Sequence, residues 1–372
     1  MMQFEVAKKV LLKAISSVNG AVEKKNTIPV LQNIKIEAKD DIIELVATDM
    51  DILVKSSFTC DMKNSGTTTV PAQMFFDIVR KIPDDAKILI SQETPISLKI
   101  QSGKSKYNLP CIEASEFPNL SEGELGEEIE IEANKLAKMI DKTRFAISND
   151  ETRYYLNGLY LQAMHRESDS GSNFELRTVA TDGHRMALSF LPVTLKTPFG
   201  VILPKKSVAE IRKIIDDNKT IKIAVSRVKI KVIAGSTTIV SKLIDGEFPD
   251  YDKVLPKNNE QIAVINKKTF FDSVDRVSTV ANDKHRSLKL IISNGKMTLQ
   301  VNTNDGSFAY EELDINYSGD NIETGFNSRY LLDIIGQIEN EELIMRFRDG
   351  NSPALIEAKD MNSVFVIMPV RI

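Results

Sequence analysis

The sequence predicts an α+β protein assembled from three copies of one domain, each with two helices and about eight antiparallel strands. Three observations predict it: one sequence plan is written three times, amphipathic helical segments recur within it at kept offsets, and short runs alternating apolar and polar residues fill the rest. A length of 372 residues with 42% hydrophobic content is enough to bury several cores, and by itself suggests two or three domains.

The helix that follows a strand is the clearest thread. It reads VPAQMFFDIVRKI from Val70, LPKKSVAEIRKII from Leu203 and FNSRYLLDIIGQI from Phe326, with Pro71, Pro204 and Asn327 aligned at separations of 133 and 123 residues. Ile78, Ile211 and Ile334 keep both offsets. Each copy also opens on a helix: VAKKVLLKAISSV, ANKLAKMIDKTRFAI and NKKTFFDSVDRVSTV. Each is expected to close on a strand ending in a hydrophobic residue before proline, at Phe117-Pro118, Phe248-Pro249 and Met368-Pro369. An acidic turn recurs as ATDMD at Ala47, ATDGHR at Ala180 and, more weakly, NTNDG at Asn302. The strands are read from alternation in NIKIEA, IIELVA, KILISQ and KIKVIA, and Asn294-Gly295 within LIISNGKMTLQV marks a two-residue hairpin. Linkers are expected in SEGELGEE (Ser121 to Glu128) and PKNNEQ (Pro256 to Gln261), giving domains 1–125, 126–256 and 257–372.

Charge is organised along this plan. The six helical segments carry a net +9, so strands and loops hold −13 of a chain whose total is −4. In the first helix Val10, Leu11, Ala14, Ile15 and Val18 are expected on one arc, with Lys8, Lys9 and Lys13 opposite. In the second copy Val208, Ile211, Ile214 and Ile215 share a face against Lys205, Lys206, Arg212 and Lys213, and Lys135, Lys138 and Lys142 form a further stripe. Lysines on one amphipathic helix are ordinarily just solvated. If the repeated domains place equivalent helices on one wall, the lysines converge into a surface expected to attract phosphate without reading bases. With no Trp and few aromatics beside these lysines, duplex DNA held by its backbone fits better than stacked single strands.

Other classes find little support. Cys60 and Cys111 are too few for a disulfide framework or a metal knuckle, which points to a cytoplasmic protein. The N-terminal stretch has no signal-peptide pattern, and no apolar run approaches the roughly 18 residues of a membrane span. His165, His184 and His285 have no metal-ligand spacing, and no phosphate-binding loop or dinucleotide fingerprint occurs, so neither metal nor cofactor is expected. Asp182 beside His184 could suggest an acid–base pair, and a hydrolase built on that loop is one alternative; an acidic scaffold that never meets DNA is another. Neighbouring residues in a turn do not establish nucleophile–base geometry, and no GxSxG block accompanies them, so no catalytic residue is assigned.

The strings TIPVLQNI (Thr27 to Ile34), RYYLNGLYL (Arg153 to Leu161), RTVATDGHRMA (Arg177 to Ala187), SKLIDGEFPDY (Ser241 to Tyr251), VLPKN (Val254 to Asn258) and MPVRI (Met368 to Ile372) resemble, in order along essentially the whole chain, the bacterial DNA polymerase III beta subunit family of sliding clamps. The resemblance implies three DNA-clamp domains with helices lining a ring and sheets outside. It implies a non-catalytic processivity factor in which two chains close head to tail around duplex DNA. It also implies a hydrophobic groove between the second and third domains for short motifs of the polymerase III alpha subunit, the clamp loader ATPase, other polymerases and repair proteins. Carried over residue by residue, the DNA-binding candidates are Lys25, Arg153, Tyr154, Tyr155, Lys205 and Lys206, with Asp150 standing where some relatives carry an amide. Partner-binding candidates are Leu156, Thr181, Gly183, His184, Arg185, Met186, Pro249, Lys253, Val254, Asn327, Tyr330, Val366, Met368, Pro369, Val370 and Arg371; Met186, Lys253 and Val370 depart from the commonest residue but keep its size or charge. Dimer contacts are expected at sheet edges, at Gly103 to Leu109 including Tyr107 and near Val277 to Val280.

Overall fold

Six times in the chain a strand runs directly into a helix, and these junctions are the frame of the fold. The computed structural model describes residues 2–23, 27–119, 123–166, 174–216, 218–281, 286–303, 305–358 and 362–371. Among these the helices are α1 (Lys8–Val18), α2 (Ala72–Lys81), α3 (Ala133–Arg144), α4 (Lys205–Ile215), α5 (Lys267–Ser278) and α6 (Ser328–Gly336), each opening on the residue after a strand. Local chemistry sets several of the starts. Asn266 accepts a hydrogen bond from Thr269 N at 3.0 Å, and Asn327 accepts from Arg329 N at 3.0 Å and Tyr330 N at 3.3 Å, so orphan amides of α5 and α6 are capped. Pro71 and Pro204 end strands where α2 and α4 begin, a place where a missing amide costs nothing. The described strands number nine, eight and eight in the three sequence copies.

The chain forms two compact units, and neither is one sequence copy: Met1–Ala137 with Lys206–Leu243, and Lys138–Lys205 with Ile244–Ile372. The reason is sheet sharing. In the first unit an eight-stranded sheet joins four strands of the central copy to four of the first through Thr237–Lys242 and Ile52–Thr59, paired antiparallel with Ile239 opposite Val54. In the second unit the corresponding seam pairs Arg185–Val193 with Ser363–Ile367, Ala187 opposite Phe365. The first unit also holds a five-stranded sheet whose last strand is Ser105–Pro110, and the second a four-stranded sheet whose outer strand is Phe308–Asp314. The Asn294-Gly295 hairpin is present, with Ser293 opposite Lys296 and Gly295 at φ 76°.

Helix faces follow the periodicity with three corrections. In α4 Val208, Ile211, Ile214 and Ile215 are all buried. In α1 Leu11, Ala14, Ile15 and Val18 are buried, but Val10 is 41% exposed and Lys8, expected on the solvated arc, is 5% exposed. Lys8 lies three and seven residues before Leu11 and Ile15 and therefore shares their stripe; its ammonium reaches the Asp84 carboxylate at 2.6 Å. Lys142 is likewise buried at 7%, so the third lysine stripe is interrupted. Phe117, Phe248 and Met368 do not end strands: each lies in irregular chain beyond one. Of the expected linkers, Ser121 and Glu122 lie outside the described residues. Asn259, in the other, is buried and donates to Arg346 O at 3.0 Å and Pro353 O at 2.9 Å, which ties that segment down.

Candidate functional site

The second unit gathers most of the partner-binding candidates around one turn. Thr181 ends the strand Phe174–Thr181 and Arg185 opens the next, Arg185–Val193. Between them Thr181 Oγ1 donates to Arg185 O at 2.7 Å and accepts from Gly183 N at 3.1 Å. Asp182 Oδ1 accepts from His184 N at 2.9 Å and Arg185 N at 3.0 Å. The turn holds Gly183 at φ 88°, a conformation that favours glycine, and a Cβ there would stand 2.6 Å from the Arg153 guanidinium, which would have to shift.

Arg185 faces inward and is 9% exposed. Its guanidinium donates to Asp182 Oδ2 at 3.2 Å, Asp333 Oδ2 at 2.6 Å and Phe145 O at 2.9 Å, and lies 4.3 Å and 4.9 Å from the Tyr330 and Phe145 ring centres. That fixes Tyr330, whose ring lies nearly parallel to His184 at 6.3 Å. Beneath the turn, Leu156, Val179, Met186, Leu188, Phe248, Tyr251 and Val366 form a buried cluster, with Tyr160 stacked on Phe248 at 4.7 Å. The C-terminal residues are strapped across it: Met368 N donates to His184 O and Val370 N to Gly325 O, both at 2.8 Å. Pro249 and Val254 are exposed and Met368, Pro369 and Val370 half-buried. Lys253, fully exposed, pairs with Asp250 at 2.9 Å. Arg371 is exposed at the end of the strap. The result is a buried apolar floor bordered by exposed or half-buried residues, His184, Pro249, Val254 and the Met368–Val370 strap.

Of the DNA-binding candidates, Arg153 and Tyr155 border the same site: the Arg153 guanidinium lies against Gly183, and Tyr155 packs on the buried cluster. Arg153, Tyr154 and Tyr155 lie on the short 3-10 turn Glu151–Leu156. Asp150 starts it, accepting from the Thr152 hydroxyl at 2.7 Å, Thr152 N at 2.9 Å and Arg153 Nε at 2.9 Å; in that order these hold its carboxyl down to about 2. Asp150 therefore orients Arg153 as an anion throughout the neutral range. Tyr154 is 55% exposed and meets Tyr155 edge to face. Lys205 donates to Asn149 Oδ1 at 2.6 Å. In the first unit Lys206 is already paired, with Asp49 at 2.5 Å. That ion pair helps to hold the Asp49 carboxyl below its usual range against the opposing effect of burial. Lys25 lies outside the described residues.

Sheet edges are where subunits add strands. Tyr107 lies on an open edge, Ser105–Pro110. Val277–Val280 is not an edge: Val277 is buried in α5 and Val280 follows that helix. An edge strand of the four-stranded sheet in the second unit is Phe308–Asp314, where Phe308 is 59% and Tyr310 51% exposed. Its run FAYEELD alternates as a strand should, and the large exposed aromatics were the available signal. Phe145, Asp333, Phe248 and Tyr251 left no such local signal as site residues, because each reaches the site from a distant part of the chain.

Three family profiles match in succession: the N-terminal, central and C-terminal domains of the DNA polymerase III beta subunit, over residues 2–121, 130–250 and 252–371. The beta sliding clamp of Caulobacter vibrioides is 40% identical over 378 residues, covering all of both chains, and that of Escherichia coli K12 is 32% identical over 375. The chain belongs to the bacterial DNA polymerase III beta subunit family, the sliding clamps. Among solved structures, a Caulobacter crescentus clamp superposes with a TM-score of 0.93 at 40% identity, covering 100% of this chain and 99% of that one. A Bartonella birtlesii clamp bound to griselimycin superposes with 0.94 at 38%, covering both chains fully. The sliding clamp is a non-catalytic processivity factor of DNA polymerase III built from three repeated clamp domains. The Asp182–His184 sequence in this clamp is accordingly a hydrogen-bonded turn: the carboxylate is occupied by two amides and Arg185, and the imidazole faces Tyr330. Among the described residues no group of His, Cys, Asp or Glu could hold a metal ion, and no helix is long and apolar enough to cross a membrane.

Proposed function

We propose that two copies close head to tail into a ring around duplex DNA, in the cytoplasm, and that the groove at the Thr181–Arg185 turn captures short motifs of the polymerase III alpha subunit, the clamp loader ATPase, other polymerases and repair proteins. The domains are then residues 1–125, 126–256 and 257–372. The observation that carries this reading is the apolar floor of Met186, Val366, Phe248 and Leu156 under a rim of His184, Tyr330 and the C-terminal strap.

Ring closure is supported by one edge strand of each unit. Ser105–Pro110 carries Lys106, with Lys104 just before it, and Phe308–Asp314 carries, beside its exposed aromatics, Glu311, paired with Arg276, and Glu312, paired with Lys296 at 2.6 Å, so lysines of another copy must compete with these partners. Opposite charge on different edges favours one copy's first unit adding to another's second, a heterologous contact that closes when the rotation permits. DNA is held loosely. Lys205 and Lys206, with Arg153, Tyr154, Tyr155 and Lys25, meet phosphates, but Lys135, Lys138 and Lys206 each already face a carboxylate at 2.5–2.9 Å, so phosphate must compete. Weak contact suits sliding, and tethering raises the local concentration of a bound polymerase.

Griselimycin, found on the Bartonella birtlesii clamp, serves as a groove probe here beside an alpha-subunit peptide. His184→Ala and Val254→Asp, both at exposed positions, are expected to weaken both ligands at least tenfold in a fluorescence competition assay while the melting temperature holds. Unchanged affinity in both variants contradicts the groove assignment.

A further inference from the structure

The groove has a counterpart in the first unit, ladder for ladder. Thr48 pairs with Leu53, Val46 with Lys55 and Lys35 with Val46. In the second unit Thr181 pairs with Met186, Val179 with Leu188 and Tyr160 with Val179. The seam between sequence copies keeps the match, Leu53 opposite Val240 where Met186 is opposite Val366. The turns agree too: Thr48 Oγ1 donates to Ile52 O at 2.8 Å, and Asp49 Oδ1 accepts from Asp51 N and Ile52 N at 2.9 and 2.8 Å. Val46, Leu53, Phe117 and Val240 form a buried cluster just as their counterparts Val179, Met186, Phe248 and Val366 do. Over the first of these floors lies a cavity of about 350 Å³.

The rims differ in charge. Lys35 and Lys55 stand where the other groove has Tyr160 and Leu188, flanking Val46 in one cross-strand row. One row further out, Glu37 pairs with Glu44 where the other groove has Gln162 and Arg177. All four charged side chains line the cavity. The Lys35 ammonium lies 5.9 Å from the Phe117 ring centre, against the floor, and also meets Glu37. Moving outward, the rows carry Leu53, then Lys35, Val46 and Lys55, then Glu37 and Glu44, with about 7 Å between alternate backbone positions of a strand, although the Lys35 ammonium itself reaches across to the Glu37 carboxylate.

We propose that this cavity is a second peptide site, which takes an extended segment of a partner protein bearing an aliphatic, an acidic and a basic side chain at alternate positions in that order. Alternate side chains of an extended segment point the same way, so the aliphatic group meets Leu53 and Phe117, the acid reaches Lys35 and Lys55, and the base meets Glu37 and Glu44. The reverse order sets like charge against like, which makes the row order a selectivity filter. The inference rests on the groove reading only for the parallel; its ladder and charges belong to the first unit alone.

The test uses the full chain, with griselimycin saturating the groove of the second unit, and two labelled, end-blocked pentapeptides. One carries leucine, aspartate and lysine at its first, third and fifth positions; the other exchanges the two charges. Fluorescence anisotropy is expected to show the first binding at least tenfold more tightly. Lys55→Glu should abolish that preference, and Lys35→Gln, the milder change, should weaken the first peptide at least fivefold, both leaving griselimycin affinity unchanged. Equal binding of the two peptides, no binding of either, or binding that neither substitution alters overturns the proposal. A failed griselimycin titration with an intact pentapeptide preference counts against the groove reading instead.

Discussion

The guanidinium of Arg185 gathers two carboxylates, a backbone carbonyl and two aromatic rings from three separate stretches of chain. The resemblance places Arg185 in the partner groove, yet at 9% exposure its reach toward a partner is through the neighbours it fixes, His184 and Tyr330. Arg185→Ala strands Asp182 and Asp333 without their shared cation and is expected to cost about 3 kcal/mol in urea unfolding. Arg185→Lys keeps the charge, loses the planar fork and should fall between. An Arg185→Ala loss below about 0.5 kcal/mol would show that the cluster contributes little. Half of this cluster was readable in ATDGHR, where Asp182 and Arg185 stand three apart. Asp333 was not, because no periodicity encodes an ion pair across 148 residues.

At the scale of elements, the acidic turns repay close comparison. The turn at Thr48 and the turn at Thr181 share their hydrogen bonds, and both need positive φ at the third residue, 82° at Met50 and 88° at Gly183. The third turn shares the Thr303 Oγ1 to Ser307 O bond at 3.0 Å and places its positive φ at Gly306. Gly183→Ala is expected to lower stability by about 1–2 kcal/mol, from backbone strain and the Arg153 approach, and to disorder the rim enough to weaken griselimycin. A neutral thermal melt with unchanged affinity would contradict that. The helices were legible because a stripe of apolar residues must recur at 3.6, and the hairpin because Asn-Gly suits its turn. Lys8 escaped that reading: a long side chain can share the buried stripe while its ammonium reaches outward to Asp84.

Across the whole molecule, the threefold repeat was written in the sequence but its division into two compact units was not. The repeat describes each copy's own strands. The seams at Ile239 with Val54 and at Ala187 with Phe365 depend on edges meeting between copies, which no single copy records. The same logic governs assembly. Lys104→Glu with Lys106→Glu is expected to shift light scattering from dimer to monomer, and Glu312→Lys in a mixed partner should restore association, whereas an unaltered dimer would remove these edges from the interface. The central claim is encirclement. Clamps loaded by the loader ATPase onto nicked circular DNA should stay bound through a salt step that strips them from the same DNA once linearised, because topology does not depend on counterions. Equal loss from circle and line would contradict it.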